Sequence, residues 1–241
     1  MIFVNCPVLN DKDKWRVKVD CTRGRNSRCS NVHKLRKNDP DVRNSKRCES
    51  STKDMHNADI KPRRSYFYGF SIFIPKKWEN DVQSEILFQW KGLKGGKPFM
   101  SVHSKDTIFY IVIDTSPNPN FHAKEDNPRL LKRNHTITEN FAVGKWHDFL
   151  FNVTWEFNLA DNSGVAQLFV DYKTEDDDEY TTVVEDDQPN MYNVYGYAKW
   201  GIYKPGWKTN PNASTVTKRK VWHDNVRIGY TREIVDPSIP R

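Results

Sequence analysis

Residues 65–74 read SYFYGFSIFI, and this stretch decides the fold class. Aromatic and β-branched residues fill it, and such residues are typical of β-strands. Similar short runs recur along the chain, with apolar and polar residues alternating and with Gly, Pro, Asn or Asp between the runs. They occupy residues 84–91, 98–103, 107–113, 147–156, 165–172, 195–203 and 219–229. No stretch shows a helical apolar stripe longer than about two turns.

Many strands without intervening helices predict two antiparallel sheets packed face to face, as in a jelly roll. We therefore expect an all-β sandwich with a concave face that can hold a ligand. The 241 residues show no internal repeat and no linker, so we expect one domain over residues 1–241. Its N-terminal region, at about residues 1–60, is basic and contains the cysteines.

The composition indicates a folded protein with an anionic partner. Aromatic residues make up 13% of the chain and include eight Trp, a share that excludes a disordered chain. The net charge of +7 suits nucleic acid, an anionic membrane or an acidic glycan, and charge alone does not choose among them. No run of 18 apolar residues exists, so we expect no transmembrane helix.

All four cysteines lie near the N-terminus, at Cys6, Cys21, Cys29 and Cys48, and their spacing matches no zinc motif. Two disulfides are favoured over free thiols, with three pairings open. Three glycosylation sequons are permissive for an extracellular protein, although sequons also arise by chance. The first residues lack a signal peptide, so either the chain is intracellular or its leader has already been removed, and we expect the secreted protein. The basic stretch 22–64 is either a solvated, disulfide-pinned excursion or a positive rim for an anionic ligand.

Two predicted strands carry polar side chains on one face. In residues 85–91, alternation puts Ile86, Phe88 and Trp90 in the core, and the opposite face carries Glu85, Leu87, Gln89 and Lys91. In residues 197–203, Ala198, Trp200 and Ile202 point to the core, and the opposite face carries Tyr197, Lys199 and Tyr203, with a gap at Gly201. Amide, phenol and ammonium groups suit a carboxylated sugar chain, although polar residues are also ordinary on the outer face of a sandwich.

These strands resemble those of the jelly-roll polysaccharide lyases, a group that includes alginate lyases, heparin lyase of the first type and fungal glucuronan lyases. The segment YAKWGIY (197–203), preceded by PNMYN (189–193), is similar to their Y-x-K-x-G-x-Y strand. Further similar segments are FQWKG (88–92) for Q-x-H, YGFSIFIP (68–75), GKWHDF (144–149) and WHDNVRIG (222–229). The resemblance covers about residues 55–230 and points most toward the glucuronan-lyase and heparin-lyase-like branch.

The chain departs from the family pattern at two points. Lys91 replaces the histidine of Q-x-H, and the R-x-E-x-R strand of alginate lyases has at best residues 57–61, which lack both arginines. Alginate is therefore disfavoured as a substrate. His56, just before that segment, is the candidate for the active-site histidine, although a structural or merely exposed histidine is an equal interpretation.

The resemblance implies cleavage of a uronic-acid polymer by β-elimination. Gln89 with His56 or Lys91 would neutralise the uronate carboxylate, since the C5 proton is otherwise too weakly acidic. Tyr203 would be the base that takes the C5 proton and also the acid that protonates the leaving glycosidic oxygen. A phenol is a poor base near neutrality, so we expect Lys199 to stabilise its ionised form and to hold the polymer.

The remaining predicted site residues have secondary roles. Subsite contacts are expected from Tyr197, Tyr192, Asn193, Trp207 and His103. The chemistry needs no cofactor, but sandwiches of this group often carry a structural calcium, for which Asp224 is the candidate unless it is a plain capping residue.

Three other functions compete with a lyase. A non-catalytic lectin on the same sandwich would bind acidic glycans without forming an unsaturated product. A nucleic-acid-binding protein would show steep salt dependence, but no recognised motif supports it. A hydrolase would need paired carboxylates, and no strand shows an E-x-D-x-x-E pattern. We expect a monomer that acts on an acidic polysaccharide, with no nucleic-acid or membrane partner.

Overall fold

A computed structural model describes residues 2–3, 17–25, 29–53, 60–93, 97–115, 131–156, 166–192 and 195–240. In this part of the chain almost all regular structure is β-strand, as the sequence predicts. The strands are β1 (Ile2–Phe3), β2 (Val17–Asp20), β3 (Ser30–Arg36), β4 (Arg47–Ser51), β5 (Arg64–Ile74), β6 (Glu85–Gly92), β7 (Pro98–Lys105), β8 (Ile108–Thr115), β9 (Leu131–Thr138), β10 (Lys145–Trp155), β11 (Gln167–Thr174), β12 (Thr181–Asp186), β13 (Gly196–Tyr203) and β14 (Lys218–Gly229).

The strands form two antiparallel sheets, which confirms the predicted jelly-roll sandwich. The first sheet has the order β12-β11-β10-β5-β14-β3-β2, with β1 beside β14. The second sheet has the order β4-β13-β6-β7-β8-β9. Two short helices, α1 (Gly206–Thr209) and α2 (Arg232–Val235), follow β13 and β14. No helix of the described residues is long and apolar enough to cross a membrane.

The core between the sheets is built largely of aromatic rings. Phe70 of β5 stacks on Phe88 of β6 with ring centroids 4.0 Å apart, and Trp90 packs against Phe151 at 4.9 Å. Trp90, Trp155 and Trp200 have no exposed surface. Burying rings of this size contributes about 2–3 kcal/mol for each side chain, so the high aromatic content builds the sandwich.

The alternating runs predicted from the sequence are strands, and six further strands of the described residues were not predicted. They are β1, β2, β3 and β4 in the N-terminal region, together with β9 and β12. β1 has only two residues, and each of the other five contains at most two aliphatic side chains and no Phe, Tyr or Trp, so the apolar pattern is too sparse to indicate a strand. The acidic run 185–187 lies partly in a strand, since Glu185 and Asp186 belong to β12, and Asp186 pairs with Arg133 at 2.9 Å.

The N-terminal stretch is therefore not one solvated excursion. Cys21 and Cys29 form a disulfide, so one of the two predicted disulfides is present. Arg25, inside this disulfide loop, pairs with Asp148 of β10 at 2.9 Å and so attaches the loop to the first sheet. Cys48 is fully buried on β4, and Cys6 lies outside the described residues, so the second disulfide stays a prediction.

Candidate active site

The predicted polar residues of β6 and β13 do meet on the outer face of the second sheet. Antiparallel pairing sets Lys199 of β13 opposite Gln89 of β6 on one side and opposite Ser51 of β4 on the other. Two positions further along β13, Gly201 is opposite Glu49, and Tyr203 is opposite Arg47. Because side chains alternate along each strand, these residues share the face that points away from the core.

A buried carboxylate organises this face. Glu49 accepts a hydrogen bond from the Gln89 amide nitrogen through Oε1 and another from the Lys199 ammonium through Oε2. The Arg47 guanidinium lies 3.6 Å from the same carboxylate. We call Arg47, Glu49, Gln89 and Lys199 the Glu49 cluster.

The Glu49 cluster holds hydrogen-bond donors in fixed positions, and Glu49 takes only part of their hydrogen-bonding capacity. The side chains of Glu49 and Lys199 are 4% and 8% exposed, so their charges are poorly screened by water. An amide carries two N–H groups and an ammonium carries three, and Glu49 takes one from each. Gln89 and Lys199 therefore retain N–H groups that are already oriented and able to bind a second anion.

Gly201 allows Glu49 to reach these donors. Its φ of +136° lies in the region where L side chains are strained. A Cβ atom at this position would come within 2.3 Å of the Cys48 carbonyl oxygen and 2.9 Å of the Glu49 Cα atom. The sequence predicted a gap on this face at Gly201, and the structure uses that position for the close approach of β4 to β13.

Tyr203 lies at the end of the same face and is partly exposed. The Arg47 guanidinium is 4.1 Å from the centroid of its ring. Lys199 was expected to supply this positive charge, but its ammonium group binds Glu49. Arg47, which the sequence analysis did not select, is thus the cation in contact with the phenol ring.

Lys91 and Tyr197 continue the face beyond the Glu49 cluster and are opposite each other in the sheet. Burial and the neighbouring cations Lys199 and Arg47 lower the pKa of Lys91 to about 8. Burial also raises the pKa of Tyr197, while the nearby Arg43 opposes that effect. This end of the face therefore carries more cations than carboxylates.

His103 of β7 also lies on this face. Its Nε2 atom is 2.8 Å from the Ser101 hydroxyl, and its ring stacks on Tyr110 of β8 at 5.0 Å. Burial lowers the pKa of His103 to about 3, so the ring is neutral near pH 7. A neutral, partly exposed imidazole beside a hydroxyl suits hydrogen bonding to sugar hydroxyls better than charge pairing.

The expected alternation of β6 is wrong at its start. Leu87 and Phe88 both point into the core, because the pairing with β7 shifts by one residue between Ile86 and Phe88. Glu85 is consequently buried instead of lying beside Gln89. Its carboxylate binds Lys204 and Arg219. Both cations also lie within 4 Å of Asp81, and we call these four residues the Glu85 cluster.

Two predicted subsite residues are corrected by the structure. Tyr192 is 1% exposed and donates its hydroxyl to the Lys97 carbonyl. Trp207 of α1 is 2% exposed and bonds to the Ser214 hydroxyl at 3.1 Å. Both belong to the core because their rings fill space between elements. His56 and Asn193 lie outside the described residues, so their roles stay predictions.

Asp224 has the environment of a capping residue. Its Oδ2 accepts the backbone N–H of Arg25 at 2.8 Å, and its Oδ1 accepts that of Asn225 at 2.7 Å. Among the described residues, no group of three His, Cys, Asp or Glu side chains is arranged to hold a metal ion. The calcium expected at Asp224 therefore gains no support from its surroundings.

Arg47 and Glu49 were not among the predicted site residues. The R-x-E-x-R strand was expected at residues 57–61, whereas the strand beside β13 is β4, which has the sequence RCESS over Arg47–Ser51. Two of the three pattern positions match there, and Ser51 stands at the third. The signal was present as an arginine and a glutamate on one face, separated by the buried Cys48.

Comparison with known proteins identifies the family of the chain. The family model described as polysaccharide lyase matches residues 8–227. A search of curated proteins by sequence found no match.

Solved structures show the same fold at low identity. The endo-β-1,4-glucuronan lyase from the fungus Trichoderma reesei has a TM-score of 0.73 and 17% identity, covering 97% of this chain and 95% of that one. The PL-14 alginate lyase from Aplysia kurodai has a TM-score of 0.59 and 10% identity, covering 91% and 88%. A β-glucanase catalytic domain from Podospora anserina reaches 0.59 with 11% identity, covering 93% and 83%. Since a β-glucanase shares the sandwich, the fold alone does not decide the reaction.

Proposed function

The chain belongs to the polysaccharide lyase family, and we propose that it cleaves a glucuronic-acid-containing polysaccharide by β-elimination on the outer face of its second sheet. The observation that carries this proposal is the Glu49 cluster beside Tyr203. There an amide and two cations surround one carboxylate and retain N–H groups for another. A lectin would need no such group next to a phenol, and the family match favours the enzyme.

The first requirement of the reaction is to neutralise the uronate carboxylate. The C5 proton is a weak acid while that carboxylate is fully charged, because its removal adds negative charge to the same group. The spare N–H groups of Gln89 and Lys199 would bind the carboxylate oxygens and stabilise the charge that develops on them. Glu49 orients both donors before substrate arrives, so little reorganisation accompanies the reaction.

The second requirement is proton transfer. Tyr203, as phenolate, would take the C5 proton, and the electron pair of that C–H bond would form the double bond between C4 and C5. The bond from C4 to the glycosidic oxygen breaks, and Tyr203 returns the proton to the leaving oxygen. Arg47, 4.1 Å from the ring, places a positive charge where the phenol becomes negative.

The substrate class follows from the charge of the face and from the comparisons. Arg43, Arg47, Lys91 and Lys199 act on one another electrostatically around a single Glu49, which favours an anionic polymer. Likeness to the glucuronan lyase supports glucuronic acid over alginate uronates. The Cys21–Cys29 disulfide supports secretion, since such bonds persist in oxidising compartments.

A substrate panel tests the proposal. The protein is incubated with glucuronan, heparan sulfate, hyaluronan and alginate, and ultraviolet absorbance of the unsaturated uronate is followed. We expect product from a glucuronic-acid polymer and little from alginate. Binding without absorbance growth on every polymer would reject the reaction. Reducing ends without absorbance would indicate hydrolysis.

A further inference from the structure

The outer face of the first sheet carries a second basic region, on the opposite side of the sandwich from the Glu49 cluster. Phe73 of β5, Trp146 of β10 and Trp222 of β14 form a small cluster of their own there, separate from the main core. Phe73 and Trp222 line a cavity of about 370 Å³. We call this cavity the Trp222 pocket.

Cations surround the aromatic wall of the Trp222 pocket. The Arg23 guanidinium lies 4.2 Å from the centroid of the Phe73 ring, and the Lys220 ammonium lies 3.8 Å from that of Trp222. The lining also includes Lys76, Lys77 and Lys218, all of which are exposed. A cation–π contact holds a cation in place without neutralising its charge, so Arg23 and Lys220 remain available to an anion.

None of these five cations forms an ion pair with another described residue. Arg219, which also lines the pocket, differs from them because it binds Glu85 at 3.1 Å. Glu79 is the acidic residue of the described lining. Asp20 lies close enough to Lys220 to favour its charge, but its carboxylate is also engaged by the Trp222 indole N–H at 2.8 Å. The pocket thus has a surplus of positive charge in a concave site.

We propose that the Trp222 pocket binds a segment of an anionic polysaccharide as a second, non-catalytic site. The class of ligand rests on the proposed function, while the site itself rests on the cavity and its unpaired cations. The two sites face opposite sides of the sandwich, so a short oligosaccharide cannot contact both. A long polymer, or a second polymer chain, would hold the enzyme at its substrate while the Glu49 cluster acts elsewhere.

A charge-reversal pair tests the pocket by binding alone, without relying on cleavage. Lys77→Glu combined with Lys218→Glu changes two exposed side chains of the pocket and leaves the core intact. The matched control is Lys61→Glu with Arg64→Glu, which are also exposed and lie near the opposite end of β5, roughly 30 Å away by strand rise. Mobility in gels containing polyglucuronate, or containing the same polymer with its carboxyl groups reduced, reports binding.

We call the Lys77→Glu and Lys218→Glu double variant the pocket pair and the Lys61→Glu and Arg64→Glu double variant the control pair. We expect the pocket pair to bind polyglucuronate about fivefold more weakly than the control pair, and we expect no difference between them on the reduced polymer. As a measurement on the unmodified protein, polyglucuronate should protect Lys76, Lys77 and Lys218 from acylation more than Lys61. Equal binding by both pairs, or equal protection, would overturn the proposal. The proposal would also be overturned if the pocket pair no longer bound DNA in gels, as the control pair does, while it still bound polyglucuronate.

The result is separable from the proposed function. If no uronate polymer is cleaved but the pocket pair still loses binding, the second site stands and the elimination chemistry fails. If cleavage occurs and the pocket pair binds like its control, the chemistry stands and the second site fails.

Discussion

Two clusters of charged side chains share strands β6 and β13 and the segments beside them, yet they lie on opposite faces of the second sheet. The Glu85 cluster, inside the sandwich, balances two carboxylates against two cations, and each of its four residues is at most 4% exposed. The Glu49 cluster, on the outer face, sets one carboxylate against Arg47 and Lys199, with Lys91 and Arg43 close by.

The difference teaches how to separate structural charges from functional ones. A closed, balanced cluster has its charges satisfied internally, so removing one member leaves a buried charge alone. An open cluster with surplus cations retains donors for a ligand, and its members should affect activity more than stability. Four predictions test this contrast.

The largest effect is expected at Tyr203, in the open region. Tyr203→Phe removes only the phenol oxygen, and we expect kcat on the best polymer of the panel to fall about 10⁴-fold, because both proton transfers are lost. The thermal midpoint should hardly change. Tyr230→Phe is the matched control, since Tyr230 is 69% exposed. A Tyr203→Phe enzyme with full activity would refute the assignment of the base.

Lys204 should show the opposite behaviour, although it follows Tyr203 directly in the chain. Lys204→Met leaves Arg219 as the one remaining cation of the Glu85 cluster against two buried carboxylates, and we expect a loss of about 3–5 kcal/mol in the free energy of unfolding. Urea unfolding measures this. Lys208→Met, at a side chain that is 46% exposed and paired with Asp41, should cost less than about 1 kcal/mol.

The contrast between the two clusters would be wrong if the Glu85 cluster also took part in the reaction. In that case Lys204→Met would show a much lower kcat than the unmodified protein, even at temperatures where the variant is fully folded.

Gln89 should resemble Tyr203 with a smaller effect. Gln89→Ala removes an oriented amide donor, and we expect kcat of the folded enzyme to fall about 10²-fold. Because Gln89 is buried and bonds to Glu49, a loss of about 1–3 kcal/mol in the free energy of unfolding should accompany this. Gln167→Ala, at an exposed position of β11, is the control. A rise in KM alone would show that Gln89 binds the ground state and the transition state equally.

The smallest effect is a pH dependence from Lys91. Its pKa is lowered to about 8, so raising the pH from 7 to 9 removes a positive charge next to Lys199, Arg47 and Glu49. We expect kcat/KM to fall about fivefold from this source, the size of one partly exposed ion pair. Lys91→Arg should keep its charge at pH 9, so kcat/KM should no longer fall between pH 7 and 9. If the fall persists in Lys91→Arg, another titrating group causes it.

The sequence predicted the sandwich and β13 well because both follow strict alternation. Tyr197, Lys199 and Tyr203 lie on the expected face, because the residues between them, Ala198, Trp200 and Ile202, point into the core. The pairing with β6 shifts between Trp200 and Tyr203 without changing that alternation. Prediction failed where a single residue breaks the period, at Leu87, and where charges mask a strand, at β4. Trp207 was wrongly predicted to contact the ligand, because an aromatic residue that follows a strand can either bind a sugar ring or pack in the core.

The partner of Gln89 and Lys199 could not be foreseen for a different reason. Glu49 is 150 positions from Lys199, and their contact depends on β4 pairing with β13 across the whole fold. Local patterns carry no information about such a distant pairing, although the Arg-x-Glu alternation was visible.

The irregular pairing at Leu87 has a consequence for comparing this strand with relatives. Glu85 and Gln89 are four positions apart and would share a face on a regular strand. Both are buried, but Glu85 lies inside the sandwich against Lys204, whereas Gln89 lies on the outer face of the sheet against Glu49. The irregularity adds one residue to β6 relative to β7. In a relative that lacked this residue, each side chain of the strand before it would lie on the opposite face of the sheet. Any alignment across residues 85–89 must therefore be judged by which side chains are interior, because spacing counted from Gln89 assigns the wrong neighbours.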